Sequence, residues 1–535
     1  MNQLGKKDNL LKEMDLRIIL PALTCVLVVA GYCVVNAETA LTTFTGIFDT
    51  FVIKATSLYL WYPLILLGIG IFFICSKYGN IVLGDPTEKP TTTTWQYVAI
   101  LLAMAFGATI MRTGPINWAL AAQDPPAAFG IEAFSKEAMI FGNSYSMYAW
   151  GFSLTFSIFA LAAPAIGYYL HVRKRSSLKL SAILSELFGT KFATSILGKL
   201  VDLLFVFAFV AASTTLVGLA TPVVTSLLAH LMGVEPSLGL EIFLTIVMVV
   251  IFTISACLGL KKGIERLSEI NLYLASGLII AILLLGPILF ILDFFTDTFG
   301  HYLANFFTYA FHANSMGDGT ADYVQSYSVF WVAYNAGWAI MHSSFLAIVS
   351  KGRTIRQMLT IYYLCPQIIV VIFTAVLGGL GVNTQLTGEV PVFDLLSTVG
   401  VGDTVAAILD TLPLAFIVIA VYLVTSMIFL STTMDSTTYT IASYVTLRDL
   451  RNSEPSRALR LLFAAIIAIL AISMQVVGGL APLDVINGML GIPIIIFQGL
   501  VIATGFKMMN EDKAFIYNVR KSDAVSAPQR ISTTE

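Results

Sequence analysis

Charged residues are scarce in this chain. Asp, Glu, Lys and Arg together make up 12% of its 535 residues, whereas 57% are hydrophobic and the mean hydropathy is +0.85. A water-soluble domain carries about 25% charged residues because its surface must be hydrated. A soluble protein of this length is therefore excluded, and lipid must cover most of the surface. The formal net charge of −2 also excludes the basic surface that a nucleic-acid partner would need.

Cysteine and histidine are scarce as well, with five of each. All the cysteines lie in apolar stretches rather than at paired spacings in polar loops, which excludes a disulfide framework. No cluster of His, Cys or Asp has the spacing of a metal site or an activated nucleophile, so we expect neither an enzyme nor a resident cofactor. No cleavable signal peptide precedes the first apolar run, which begins near Leu16 and is interpreted as a first membrane span.

The chain is rich in long apolar runs instead of charged and metal-binding residues. About 20 mostly apolar residues are needed to cross a bilayer, and each span must be helical because an unpaired backbone cannot lie in lipid. Twelve runs meet this length and place both termini on the same side. They lie near 16–36, 57–77, 95–115, 146–170, 199–230, 238–260, 271–294, 326–350, 359–382, 404–434, 458–478 and 483–507.

The basic residues predict which side that is. With twelve spans, only Lys54 and Lys136 fall in loops of one side, Arg112 lies within the third span, and every other Lys and Arg falls on the side of the termini. Cytoplasmic loops carry this excess, so we expect a protein of the cell inner membrane with both termini cytoplasmic. The domain organisation predicted is a cytoplasmic segment 1–15, a transmembrane domain 16–508 in contact with membrane lipid, and a cytoplasmic tail 509–535 that we expect to be disordered.

Three spans are too polar to serve only for packing. They are the third (103–115, with a Gly-Pro break), the eighth (330–344) and the end of the tenth (430–438). Interrupted, polar spans that recur in two halves of a chain indicate a binding site at the membrane midplane of an inverted-repeat transporter. The third and eighth spans are five apart, which fits two five-helix repeats over about 95–294 and about 326–507.

Individual polar residues in these spans admit a functional and a structural interpretation. Arg112 in mid-span favours function, because an intramembrane charge is costly; the alternative is a structural pair with a carbonyl or with Asp435. His342 could be a packing histidine, and Thr432 and Thr433 could bond to their own helix. The aromatic residues Tyr327, Tyr334 and Trp338 share one helix face, which is more often a packing face than a binding site.

Several short motifs resemble the betaine/carnitine/choline transporter family over residues 15 to 508. The matching residues are Leu83-Gly84 with Pro90 and Trp95 before the third span, Lys262-Gly263-Ile264 with Arg266-Leu267-Ser268 and Asn271, Lys351-Gly352-Arg353-Thr354-Ile355-Arg356, and Met434-Asp435-Ser436. The resemblance implies an all-α polytopic fold with a five-plus-five inverted repeat and two leading helices. It also implies alternating access and a homotrimer.

The resemblance further implies where a solute binds. The family holds a quaternary ammonium such as betaine, carnitine or choline in a box of aromatic rings, and three box positions of the eighth span fall on Tyr334, Asn335 and Trp338. Arg112 falls where the family usually has an aromatic residue close to the site. A guanidinium suits a carboxylate or sulfonate. We therefore expect a small zwitterionic or anionic solute bound by these residues and Tyr327.

A coupling ion is implied in the same way. Sodium-coupled members of the family resemble this chain at Phe429, Thr432 and Thr433, whose counterparts line a sodium site with carbonyls near Ala103 and Phe106. Sodium-independent exchangers carry an arginine at the position of Asn271, so sodium symport is favoured over exchange. Proton coupling through His342 stays an alternative, because imidazole titrates near neutral pH. A channel or a membrane sensor is the alternative of another class.

Overall fold

The computed structural model describes residues 13–105, 107–258, 263–317, 321–450, 454–477 and 480–520. Within these ranges the chain is helical, and its only β pairing is three isolated bridges. The helices of the first half are α1 Leu16–Val35, α2 Ala37–Phe51, α3 Thr56–Cys75, α4 Thr94–Ala105, α5 Gly107–Thr113, α6 Asn117–Ala122, α7 Lys136–Ala149, α8 Ser157–Ala160, α9 Ala163–Gly167, α10 Leu180–Phe188, α11 Ile196–Met232, α12 Leu238–Leu258 and α13 Glu265–Leu285. Those of the second half are α14 Ile288–Ala310, α15 Tyr323–Val349, α16 Ile355–Phe373, α17 Gly379–Thr387, α18 Val392–Thr398, α19 Val401–Asp410, α20 Ala415–Val445, α21 Arg457–Val477, α22 Leu480–Glu511 and α23 Ala514–Tyr517.

Eleven helical stretches of the described residues are long and apolar enough to cross a membrane. Of the predicted third span the structure describes two helical stretches, α4 and α5, on either side of Phe106, which itself lies outside the described residues. Gly114-Pro115 follows α5, and a proline lacks the N–H that would continue a helix. The eighth and tenth spans are polar as predicted, but α15 and α20 run through them without a break.

Two predicted span boundaries are wrong. The seventh span ends at Leu285 rather than at 294, because Gly286-Pro287 interrupts the helix and α14 begins at Ile288. The tenth span begins at Ala415 rather than at 404, because α19 ends at Asp410 and Leu414 takes a left-handed conformation with φ 61° before α20. In both cases an apolar run continues across a turn, so hydropathy alone cannot locate the boundary.

Three π-helical turns that the structure describes from end to end lie within the spans. They cover Phe152–Phe156 and Tyr168–Val172, on either side of α8 and α9, and Thr374–Gly378 between α16 and α17. The most apolar windows of the spans 136–172 and 323–349 are 100% and 89% buried, whereas those of 16–33 and 238–255 are only 33% and 28% buried. The span 136–172 and α15 therefore lie at the centre, and the outer helices present their apolar side chains to lipid.

Loops predicted to share one side of the membrane lie at the same end of the bundle. At the end that carries the chain termini, Arg173 binds Glu186, Glu511 and Asp512, and Lys179 pairs with Asp15. Further contacts join the remaining basic loops of that side: Arg448 to Glu13, Lys351 to Glu88, Lys174 to Asp85, and Arg353 to the carbonyls of Thr92 and Thr93. At the opposite end, Gln325 donates to the Thr56 hydroxyl and Trp61 packs on Phe311.

The start of the C-terminal tail is ordered, contrary to the expectation of disorder after Met509. α22 continues to Glu511, α23 follows, and Val519 pairs with Ile81 in a β bridge. Asn518 donates to the carbonyls of Val82 and Gly84, and Arg520 donates to those of Glu88 and Gly352. We call residues 513–520 the C-terminal clamp, because they bind two other loops at this end of the bundle.

Candidate functional site

A row of stacked aromatic rings follows one face of α15. Ring centroids lie 5.3 Å apart for Tyr323 and Tyr327, 5.8 Å for Tyr327 and Trp331, and 5.6 Å for Trp331 and Tyr334, each pair within 17° of parallel. Residues spaced by three and four share a face of a helix, which explains the row. The Asp322 side chain caps the helix by accepting from the Gln325 N–H.

The inner end of this row opens on a cavity in the middle of the bundle. The space open to the centres of water molecules is about 40 Å³, room for about three waters at roughly 10–15 Å³ each. The cavity is thus narrow in this conformation, and its lining combines aromatic rings with hydroxyl-bearing side chains. Its lining residues are Met104, Thr109, Thr155, Phe159, Leu216, Trp331, Tyr334, Asn335, Trp338, His342 and Thr433.

The π-helical turn Phe152–Phe156 fixes the amide of Asn335. A π turn breaks the regular hydrogen-bond ladder of the α-helix, so its carbonyls and side chains become open to other partners. The Nδ2 of Asn335 donates to the carbonyl of Leu154 at 3.1 Å and to the hydroxyl of Thr155 at 3.2 Å. The Nε1 of Trp331 also donates to the Thr155 hydroxyl, at 3.1 Å. One turn of a neighbouring span therefore orients two side chains of α15.

His342 closes the inner end of the cavity by stacking on Phe159. The two rings are 4.0 Å apart at an interplanar angle of 5°, and the Trp338 ring lies 5.7 Å from His342. Within the described part of the chain, neither Nδ1 of His342 nor Nε1 of Trp338 has a hydrogen-bond partner. Two buried polar nitrogens beside a cavity are groups that a bound solute or water could satisfy.

Several oxygen atoms meet where α4 contacts α20. The Ala103 carbonyl of α4 accepts from the Thr433 hydroxyl at 2.9 Å. The same hydroxyl contacts the Phe429 carbonyl at 2.9 Å, and Thr432 also donates to that carbonyl, at 2.9 Å. The structure thus brings Ala103, Phe429, Thr432 and Thr433 together. Phe106, the fifth predicted member of this group, lies outside the described residues.

Arg112 lies near Tyr327 of the aromatic row and is not part of the cavity lining. It is at the end of α5, partly exposed, and its charge acts on the hydroxyl of Tyr327. Among the described residues no hydrogen bond or ion pair involves its guanidinium. Asp435, the acidic partner considered from the sequence, instead accepts from the Ser255 hydroxyl on α12.

Several of the site residues predicted from the sequence make up part of the cavity lining. Tyr334, Asn335, Trp338, His342 and Thr433 line the cavity together, whereas Arg112 and Tyr327 lie outside its lining. Trp331 was omitted, although its spacing from Tyr327 and Tyr334 places it in the same row. Thr155, Phe159 and Leu216 come from distant spans, and no local sequence signal indicates them.

Apolar spans around a buried cavity of rings and hydroxyls are typical of a membrane transporter. The sequence pattern of the family described as BCCT, betaine/carnitine/choline family transporter, matches residues 17–514. The chain therefore belongs to the betaine/carnitine/choline transporter family. It is a multi-pass membrane protein whose family members are transporters and not enzymes.

Three curated relatives are similar over most of their length. An uncharacterized transporter, YeaV of Escherichia coli, is 29% identical over 417 residues, or 78% of this chain and 85% of the relative. The glycine betaine transporter OpuD of Bacillus subtilis is 28% identical over 478 residues, or 88% and 90%. A carnitine transporter of Acinetobacter baumannii is 29% identical over 411 residues, or 76% and 72%.

Proposed function

We propose that this chain is a sodium-coupled symporter that moves a small zwitterionic solute by alternating access. The observation that carries the proposal is the contact between the Thr433 hydroxyl and the Ala103 carbonyl, next to a cavity lined by aromatic rings. Carbonyl and hydroxyl oxygens are the ligands of hard cations, and in transporters the carbonyls come from interrupted helices. Thr433 belongs to both the oxygen group and the cavity lining, so ion and solute would bind next to each other.

The aromatic rings of the cavity recognise the cationic group of the solute. Trp331, Tyr334 and Trp338 line the cavity, and each ring face attracts a cation by about 0.5–2 kcal/mol. Two of the relatives carry glycine betaine and carnitine in their names, and both compounds combine a cationic nitrogen with a carboxylate. A solute of this size exceeds the volume of the cavity, so binding requires the lining side chains to separate.

Arg112 supplies the recognition of the acid group. Tyr327, next to Arg112, and Tyr334 in the cavity are seven residues apart on α15, which corresponds to about 10 Å along the helix axis. A solute with several carbons between nitrogen and acid group would reach both ends of the row. A shorter solute would contact Arg112 first and the cavity afterwards. For solutes of either length, a carboxylate or sulfonate suits the guanidinium.

Uptake into proteoliposomes tests the coupling. With the purified chain and a solute that binds it, we expect an inward sodium gradient to drive accumulation and an inward potassium gradient to drive none. Collapse of the proton gradient with an ionophore should leave the accumulation intact. Equal uptake at every sodium concentration would contradict sodium symport.

A proton-coupled symporter is the second candidate, favoured by one observation. His342 lies in the cavity lining with its Nδ1 unpaired among the described side chains, and imidazole is the side chain whose charge changes near neutral pH. This candidate predicts that an inward proton gradient alone drives uptake and that His342→Gln abolishes it. A sodium-independent exchanger would instead show uptake only into liposomes preloaded with solute.

We further propose that the protein resides in the inner membrane as a homotrimer with both termini in the cytoplasm. The clustering of the basic loops at the end of the bundle that carries the termini supports this orientation, because cytoplasmic loops are rich in Lys and Arg. In spheroplasts, a membrane-impermeant maleimide should label Lys54→Cys and should label Lys351→Cys only after lysis. Native mass spectrometry would test the trimer.

A further inference from the structure

The amide of Asn335 can have only one orientation. Its Nδ2 donates to the carbonyl of Leu154, and a carbonyl can only accept, so a flipped amide would place two acceptors against each other. The Oδ1 atom must therefore point away from the π-helical turn. Asn335 is 2% exposed and lines the cavity, and no donor among the described residues contacts Oδ1. The oxygen is a buried acceptor available to whatever fills the cavity.

A buried carbonyl discriminates between kinds of ammonium group. An ammonium with an N–H donates a charge-assisted hydrogen bond to it. A trimethylammonium has no N–H and would place a methyl group against the oxygen, which leaves the acceptor unsatisfied and desolvated. Two further hydroxyl oxygens, of Thr109 and Thr433, line the same cavity and can accept from a second and a third N–H.

We propose that the cavity selects solutes whose nitrogen carries at least one N–H, such as amino acids, N-methyl amino acids or aminosulfonates, over their N-trimethyl analogues. The rings of Trp331, Tyr334 and Trp338 attract the positive charge of either kind, and Asn335 decides between them. The inference rests on the proposed function, since it assumes that a zwitterionic solute occupies this cavity.

Calorimetric titration of the purified full chain with matched solutes tests the proposal. Suitable series are glycine, 4-aminobutyrate and 2-aminoethanesulfonate, each with its mono-, di- and trimethylated nitrogen, in the presence of sodium. For the series that binds, we expect Kd to rise at least about tenfold between the ammonium and the trimethylammonium form, with the largest step when the last N–H is lost. Equal or tighter binding of the trimethyl form would overturn the inference and leave the proposed function standing. Absence of binding by every member would overturn both.

Two variants at the same position separate the oxygen from the volume of the side chain. Asn335→Leu removes the oxygen without adding a ring. The Kd values of the N–H form and the trimethyl form should then differ by no more than about twofold. Asn335→Phe adds a ring face, so the preference should reverse toward the trimethyl form. Retention of a tenfold preference by Asn335→Leu would overturn the role of Oδ1. Size-exclusion chromatography and thermal unfolding establish that each variant is folded, and the titration of the unsubstituted chain tests the selectivity independently of them.

Discussion

Several side chains of this site are held in place by hydrogen bonds to partners on other spans. Thr155 accepts from both Trp331 and Asn335, so one hydroxyl fixes two side chains of α15. Thr433 joins α20 to the end of α4, and Tyr422 on the same helix donates to the Met111 carbonyl of α5 at 2.7 Å. Side chains of α20 therefore contact both described stretches of the third span.

Arg112 offers a test of acid-group recognition. Arg112→Gln should raise the Kd of a zwitterionic solute about tenfold or more, because a charge-assisted hydrogen bond contributes about 1.5–3 kcal/mol. Calorimetric titration measures this change. An amine of the same length without the acid group should bind the variant and the unsubstituted chain alike. An equal loss for both ligands would contradict the assignment.

Thr433 offers a test of the sodium site. Thr433→Ala should raise the half-saturating sodium concentration for uptake about tenfold, because it removes one oxygen that faces the ion. Thr433→Ser keeps the oxygen and should restore near-normal sodium dependence. Thr440→Ala is the matched control, since Thr440 is a buried residue of the same helix whose hydroxyl, among the described residues, bonds to the Ser436 carbonyl alone. An unchanged sodium titration for Thr433→Ala would exclude this hydroxyl as a ligand.

The sequence predicts most of the site's side chains on α15, and the family resemblance adds Thr433 on α20, but Trp331 and several residues of other spans are missed. Asn335, Trp338 and His342 are visible as polar or aromatic interruptions in one apolar run. Thr155 lies in an apolar span, and only the π-helical turn brings its hydroxyl to the cavity. A period of 3.6 residues assumes an unbroken α-helix, so it cannot predict which face follows such a turn.

At the scale of elements, hydropathy predicts the existence of a span more accurately than it predicts the residue at which the span ends. The run 271–294 contains the end of α13, the Gly286-Pro287 turn and the start of α14. The residues on both sides of the turn, 278–285 and 288–292, are all apolar. α14 itself has one face buried and the other exposed. Length and composition predict twelve spans, and the described residues contain eleven helical stretches that are long and apolar enough to cross a membrane. The Gly-Pro pair is the local signal that corrects the boundary of the seventh span.

The outer helix α14 gives a prediction about pH. The Nδ1 of His301 lies 2.9 Å from the hydroxyls of both Ser144 and Tyr309, and burial lowers the pKa of the His301 imidazole. The folded protein thus favours the neutral ring, while the unfolded chain takes up a proton below about pH 6.5. The stability from this residue is complete above that pH and is lost as the pH falls. We expect the unfolding temperature in detergent to drop between about pH 7.5 and about pH 5, and to drop less in His301→Gln.

Ser144→Ala is the control for this experiment. It removes a hydrogen-bonding partner of His301 but leaves the titrating ring, so the unfolding temperature should fall at both pH values and the pH response should persist. An identical pH response in His301→Gln and the unsubstituted chain would assign the acid sensitivity to other groups.

At the scale of the whole molecule, the two ends of the bundle are built differently. One end is joined by ion pairs and by arginine bonds to backbone carbonyls, and the other mainly by hydroxyl, amide and aromatic contacts. The alternation of basic residues along the chain predicts this division. It cannot predict which loop touches which, because long flexible side chains at one surface admit many pairings of similar energy.

The C-terminal clamp gives a prediction about the stability of the whole fold. Asn518→Ala combined with Arg520→Ala removes four hydrogen bonds to backbone carbonyls of two other loops, so the variant should lose about 2 kcal/mol or more. Thermal unfolding of the full chain in detergent measures the loss. The matched control is Ile516→Ala with Tyr517→Ala, whose side chains are 60% and 72% exposed in the same segment. Equal effects of the two pairs would mean that the clamp does not contribute through these bonds.

The π-helical turn Phe152–Phe156 has a consequence for how such a cavity can arise in evolution. A π turn amounts to one residue inserted into an α-helix, and one residue turns the helix face by about 100°. A deletion of one codon here would restore a regular helix of the same hydropathy and rotate Phe159 away from His342. No point substitution produces that rotation. An insertion or deletion of one residue inside an apolar span leaves the number of membrane crossings unchanged. It can nevertheless change, in a single genetic step, which solutes a carrier accepts.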